Sequence, residues 1–189
     1  MLGMILEQYQ PDEGHRLMAI LTHDEIIRRI RAGEIGVDPF DEKFVGPASI
    51  DLHLANQFRV FKRVRDIFHV TEEASYEDVS EVIEVGDSDY FVLMPGETCH
   101  GLTRERITLP PDLCGWLQGR SRFARLGLMV HITAAFIQSG VDNHQALEIN
   151  NAGPMPLAVR PGIALCQFMF ETTIGEAQYA GRYRVQTGP

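Results

Sequence analysis

FVLMPGETC (residues 91–99) and LAVRPGIAL (residues 157–165) share one design: a short apolar run, Pro-Gly, then another run. Proline presets φ at the first central position of a type II turn, and glycine accepts the positive φ at the second. Pro95-Gly96 and Pro161-Gly162 therefore read as turns between strands. From Tyr90 onward the chain is short apolar runs punctuated by turn residues, with little helical period. Many short strands with Pro/Gly turns predict an all-β barrel or jelly-roll-like sandwich.

Upstream, one helix is expected. Thr22 and Glu25 have capping-box spacing, Ile26, Ile27 and Ile30 recur on one face, and Gly33 is a stop. Arg28, Arg29 and Arg31 read as its solvated face. A Gly/Pro/Asp-rich loop (residues 36–49) leads into SIDLHLANQFRVFK, read as two short strands around Ile50–Leu54 and Phe58–Phe61. Residues 66–89 are acidic and weakly patterned, an exposed excursion with short strands. Residues 1–17 read as an N-terminal extension without the features of a secretion signal, and residues 179–189 as a flexible end or lid.

The composition suits one soluble domain: 189 residues, 44 % hydrophobic, 23 % charged. A net charge of −9 repels nucleic-acid backbones and anionic membranes, so neither is an expected partner. No apolar run is long enough to span a bilayer. Cys99, Cys114 and Cys166 are far apart and read as buried free thiols in a reducing, cytoplasmic setting. The zinc-deaminase signature is incomplete, since no P-C-x-x-C occurs. GxxxxGK[ST], GxGxxG and GxSxG are also absent. Any catalysis is expected from ordinary side chains without a tightly held metal.

The chemistry concentrates between Gly119 and Glu148. GRSRFAR, read as a brief helix, places Ser121 and Arg125 at i and i+4. With Arg120 and Arg122 this is either an anion site or a set of surface ion pairs. Glu148 lies in the strand-like run Ala146–Ile149, either facing solvent or acting as a partly desolvated general base tuned by a neighbour such as Arg125. His131 reads as a satisfied core histidine.

GRSRFARLGLMVHITA (residues 119–134) closely resembles a segment of the dCTP deaminases, within the trimeric dUTPase-like superfamily. Residues 35–54, 147–171 and 182–189 resemble the same family in the same order, so the resemblance covers about residues 18–189. It implies a mainly β chain, a distorted jelly-roll-like β-barrel of the dUTPase-like type with a few short helices over residues 18–178. The tail, residues 179–189, would be a lid over the nucleotide. It further implies a cytoplasmic homotrimer with interfacial active sites. The implied reaction is zinc-independent hydrolytic deamination of dCTP to dUTP and ammonia, with Mg2+ accompanying the triphosphate and dTTP as an inhibitor. On this resemblance Glu148 is the general base, Ser121 and Arg125 lie beside the reacting amino group, and the Ala134 backbone helps hold the attacking water. Arg120, Ser121 and Arg122 face the phosphates, Gln138 the sugar, and Tyr179, Arg182 and Gln186 belong to the closing tail.

The family pattern TAGxIDPGxxG becomes TAAFIQSGVDNH here. Gln138 stands where an aspartate would contact the sugar and, in bifunctional relatives, orient the water that attacks the α-phosphate. An amide cannot act as that base, so Gln138 argues against diphosphatase activity. Ser139, Val141 and Asn143 also depart from the pattern. Two alternatives stay open: a bifunctional enzyme giving dUMP and pyrophosphate, or a non-catalytic nucleotide-binding paralogue.

Overall fold

The computed structural model describes residues 19–63, 65–181, 183, 186, 188 and 189. The extension expected at residues 1–17, and the role expected of Arg182, lie outside them.

Eleven strands, two short α-helices and two 3-10 turns (Glu42–Phe44 and Tyr76–Val79) are the elements of the described residues. In order, the strands and α-helices are α1 (His23–Arg31), β1 (Gly36–Asp38), β2 (Ile50–Phe61), β3 (Ser80–Glu84), β4 (Phe91–Leu93), β5 (Thr98–Thr108) and β6 (Leu113–Gly119). Then follow α2 (Ser121–Ala124), β7 (Leu128–Val130), β8 (Phe136–Ile137), β9 (Asp142–Asn151), β10 (Leu157–Val159) and β11 (Ala164–Thr172). The main sheet runs β7-β9-β5-β2-β11-β6-β8, with β1 added on β5 and β3 on β2, while β10 pairs with β4. It curls into a half-barrel, matching the expected mainly β class.

The Pro-Gly turns form as read. Gly96 and Gly162 have φ of 79° and 78°. Their flanking strands β4 and β10 pair with each other, Leu93 opposite Leu157 and Phe91 opposite Val159. Alternation then assigns the faces: on β9 Asn143, Gln145, Leu147, Ile149 and Asn151 are buried, while Glu148 points the other way. Leu52, Leu54, Phe58, Leu117, Leu147, Phe168 and Phe170 are fully buried between the curled faces. Each such side chain contributes roughly 1.5–3 kcal/mol relative to exposure.

Two local readings need correcting. Residues 50–61 form one strand, not two. A register shift against β5 between Leu54 and Phe58 bends it without ending it. The capping box does not form: Thr22 is the N-cap of α1 but makes no side-chain cap bond, because Glu25 turns to Arg28 and Arg29 instead. Arg28 is a solvated ion-paired residue, as expected, whereas Arg29 is largely covered and also approaches Asp112. The three cysteines are buried and free.

Candidate active site

A cavity of about 420 Å³ opens beside β9 and β5. Its walls come from His100 on β5, Ala146 and Glu148 on β9, the segment 131–141, Tyr76, and the tail residues Tyr179, Tyr183, Gln186 and Pro189. Four expected site residues therefore line one cavity with Glu148: Ala134, Gln138, Tyr179 and Gln186.

Glu148 is oriented by backbone. Its Oε2 accepts from the N–H groups of Ile132 (3.1 Å) and Thr133 (3.2 Å), and its carbonyl accepts from the N–H of His131. A carboxylate held on one oxygen by two donors has its other oxygen directed for proton transfer. The expected tuning neighbour, Arg125, does not line the cavity; the donors to the Glu148 side chain are N–H groups, and His100 lies opposite it on β5. Glu148 is the one carboxylate side chain among the described residues of the lining.

His131 is not a satisfied core histidine. It adopts φ 63°, and both ring nitrogens are buried without a hydrogen-bond partner. Burial pushes its imidazole pKa down, against the pull of Glu148. The left-handed backbone turns the chain so that the next two N–H groups meet Glu148.

The cavity wall also carries a buried amide pair, Asn143 and Gln145, and sequence reasoning missed both Gln145 and the pairing. Gln145 Nε2 donates to the carbonyl and side-chain oxygens of Asn143, its N–H donates to Thr103 Oγ1, and Asn143 Nδ2 donates to the Tyr183 carbonyl. The tail is also tied by Tyr179 N–H to the Ser139 carbonyl and by Arg59 Nε to the Pro189 carbonyl.

The cationic residues expected at the site lie elsewhere in the chain. α2 forms where expected, but Arg120, Ser121, Arg122 and Arg125 do not line the cavity of Glu148. Arg120 is engaged by Asp51 (2.9 Å) and the Ala164 carbonyl (2.9 Å), and burial pushes the Asp51 carboxyl up against that pairing. Arg122 is exposed and lies over the Phe123 ring. Within the chain the arginines at one end of the Gly119–Glu148 stretch are thus apart from the cavity of Glu148 at the other.

Asp142 cannot take over from Gln138. Arg106 holds it in a fork at 2.7 and 2.8 Å and Thr108 Oγ1 donates at 2.6 Å, which lowers its pKa to about 2. A carboxyl depressed from 3.8 to about 2 stabilises the fold above pH 4 and loses that contribution as pH falls towards 2. Asp142→Asn is therefore expected to narrow the drop in melting temperature between pH 5 and pH 2.5, read by circular dichroism.

These features place the chain in a class. It belongs to the dCTP deaminase-like family, whose model matches residues 20–173. Among curated relatives, "dCTP deaminase, dUMP-forming" of Mycolicibacterium vanbaalenii is 38 % identical over 177 residues, covering 90 % of this chain and 93 % of the relative. The protein of the same name from a Parafrankia species is 40 % identical over 177 residues, covering 90 % and 88 %. Among solved structures, the 2′-deoxycytidine 5′-triphosphate deaminase of Agrobacterium tumefaciens matches with a TM-score of 0.65 at 22 % identity, over 84 % of this chain. The chain spans about half (49 %) of that protein's length, and the likeness concerns the fold.

Proposed function

We propose that the protein deaminates dCTP hydrolytically, with Glu148 as the base. The observation that carries this is the single oriented carboxylate in a cavity lined also by Ala134, Gln138 and Gln186. Glu148 takes a proton from water, and the water oxygen attacks C4 of the cytosine. That proton is delivered to ring N3 and stays there; the second proton, on the new C4 hydroxyl, passes through Glu148 to the amino group as the C4–N bond breaks, so that dCTP and water give dUTP and ammonia. The Ala134 backbone holds the water, Gln138 binds the sugar hydroxyl, and Gln186 contacts the nucleotide. Arg120, Ser121, Arg122 and Arg125 serve the phosphates and the amino group of a neighbouring protomer's site, which calls for a homotrimer with interfacial active sites. Release from Asp51 would free Arg120 for that role. Mg2+ arrives with the triphosphate. Three buried free thiols suit a reducing cytoplasm.

Ammonia release from dCTP tests the reading. It should persist when zinc is chelated with Mg2+ maintained; loss of turnover on zinc removal would contradict it.

We infer dUTP as the released product. The relatives' names favour a second reading, in which dUMP is formed. Against it stand the uncharged Gln138 in the cavity and the Asp142 carboxylate tied to Arg106. Gln138→Asp is expected to raise pyrophosphate release at least about tenfold, measured by a pyrophosphatase-coupled phosphate assay. Equal pyrophosphate release from the wild type would refute this account of Gln138.

A further inference from the structure

Three adjacent strands place a cation, an imidazole and a carboxylate in one lateral row. Arg59 on β2 lies opposite His100 on β5, and His100 lies opposite Glu148 on β9. Residues directly opposite on antiparallel strands share a face, with Cβ atoms about 4.5–5.5 Å apart. The His100 ring is fixed edge-on by Phe61 (5.1 Å, 88°) and Tyr76 (5.5 Å, 69°), and it lines the same cavity as Glu148. Arg59 is occupied by Ser80 Oγ, the Pro189 carbonyl and the face of Tyr76, so it does not compete for Glu148.

We propose that His100 is a positioning residue for the deamination, acting through Glu148: as a neutral imidazole it leaves Glu148 free to take a proton, and as an imidazolium it withdraws that basicity. The inference rests on the deaminase reading of Glu148.

The charges around the ring set the direction. Burial favours the neutral ring, Glu148 on β9 favours the imidazolium, and Arg59 on β2 opposes it; the net effect lowers the His100 pKa from 6.5. Among the described residues, the other titratable side chains on the cavity wall are Tyr76, His131, Tyr179 and Tyr183. The lowered pKa favours the neutral ring around neutral pH. As pH falls through its ionisation, a positive charge appears opposite Glu148, stabilises the carboxylate and lowers its proton affinity. The rate then falls as His100 ionises.

Two measurements test this. The acid limb of kcat for ammonia release, read relative to each enzyme's own plateau, should move about one pH unit lower in His100→Gln than in the wild type. A structural role for the ring would change the plateau and leave the limb in place, and superimposable limbs would overturn the proposal. NMR titration of the His100 imidazole requires no turnover. In Glu148→Gln its pKa should drop by about one unit, and an unchanged value would overturn the proposal even if His100→Gln failed to fold. Absence of ammonia release from the wild type would sink the deaminase reading instead, while the NMR result would still report on the pair.

Discussion

Glu148→Gln is expected to lower kcat for ammonia release from dCTP by about 10²–10⁴-fold, the range that general acid–base groups supply. Nucleotide affinity, measured by calorimetry, should stay close to that of the wild type. Glutamine has nearly the same shape, and its amide oxygen can still accept from the N–H groups of Ile132 and Thr133. The turn at residues 131–133 is therefore retained while the proton acceptor is lost. Turnover within tenfold of the wild type would mean that some other group takes the proton. A collapse of binding together with turnover would instead mark Glu148 as a structural ligand of the 131–133 turn.

The second large effect concerns stability. Gly127→Ala is expected to cost roughly 2–5 kcal/mol, combining a left-handed backbone with overpacking. Gly127 has φ 84°, and a Cβ there would lie 2.5 Å from both the Cα and N of Gly153. Those are backbone atoms, so no side chain can swing away. The Gly127 carbonyl also accepts from Ala152 N–H, which ties the end of the α2 segment to the turn after β9. At about 2–4 °C per kcal/mol for a chain of this size, the melting temperature should fall by roughly 4–20 °C. Gly162→Ala is the control: φ is 78°, but nothing lies within 4 Å of the new Cβ. Its cost should be limited to about 1–2 kcal/mol of backbone strain. Equal melting temperatures for the two variants would refute the close contact between Gly127 and Gly153.

These two glycines also mark what was legible in the sequence. Pro161-Gly162 could be read because a type II turn is chosen by its own residues. The role of Gly127 depends on Gly153, which a local pattern does not connect to it. The same division runs through the site. Glu148 stood out as a charge between apolar neighbours, and alternation placed it on the face opposite Leu147 and Ile149. Its donors come from a turn made by a left-handed His131, and no sequence signal announces positive φ at a histidine. The arginine cluster was visible, but the tie from Arg120 to Asp51 spans two strands that only the sheet order brings together. His100 and Gln145 went unread for a related reason. Each sits in an ordinary strand, and the significance of His100 lies in its register against Glu148 and Arg59. The capping box failed because Glu25 has stronger partners in Arg28 and Arg29, which bring its pKa down to about 2. The single long β2 was read as two strands because polar Asn56 and Gln57 interrupt its apolar run, although the buried positions keep one phase from Ile50 to Phe58.

On the proposed function, the cavity of Glu148 on one protomer would meet the arginines of α2 on another. The most direct test of the central claim of that proposal is incubation of the wild-type protein with dCTP and Mg2+, followed by chromatography that resolves dCTP, dUTP and dUMP. The account predicts that dCTP is consumed and dUTP accumulates, with ammonia in equal amount and no dUMP. Unchanged dCTP, bound but never converted, would contradict it.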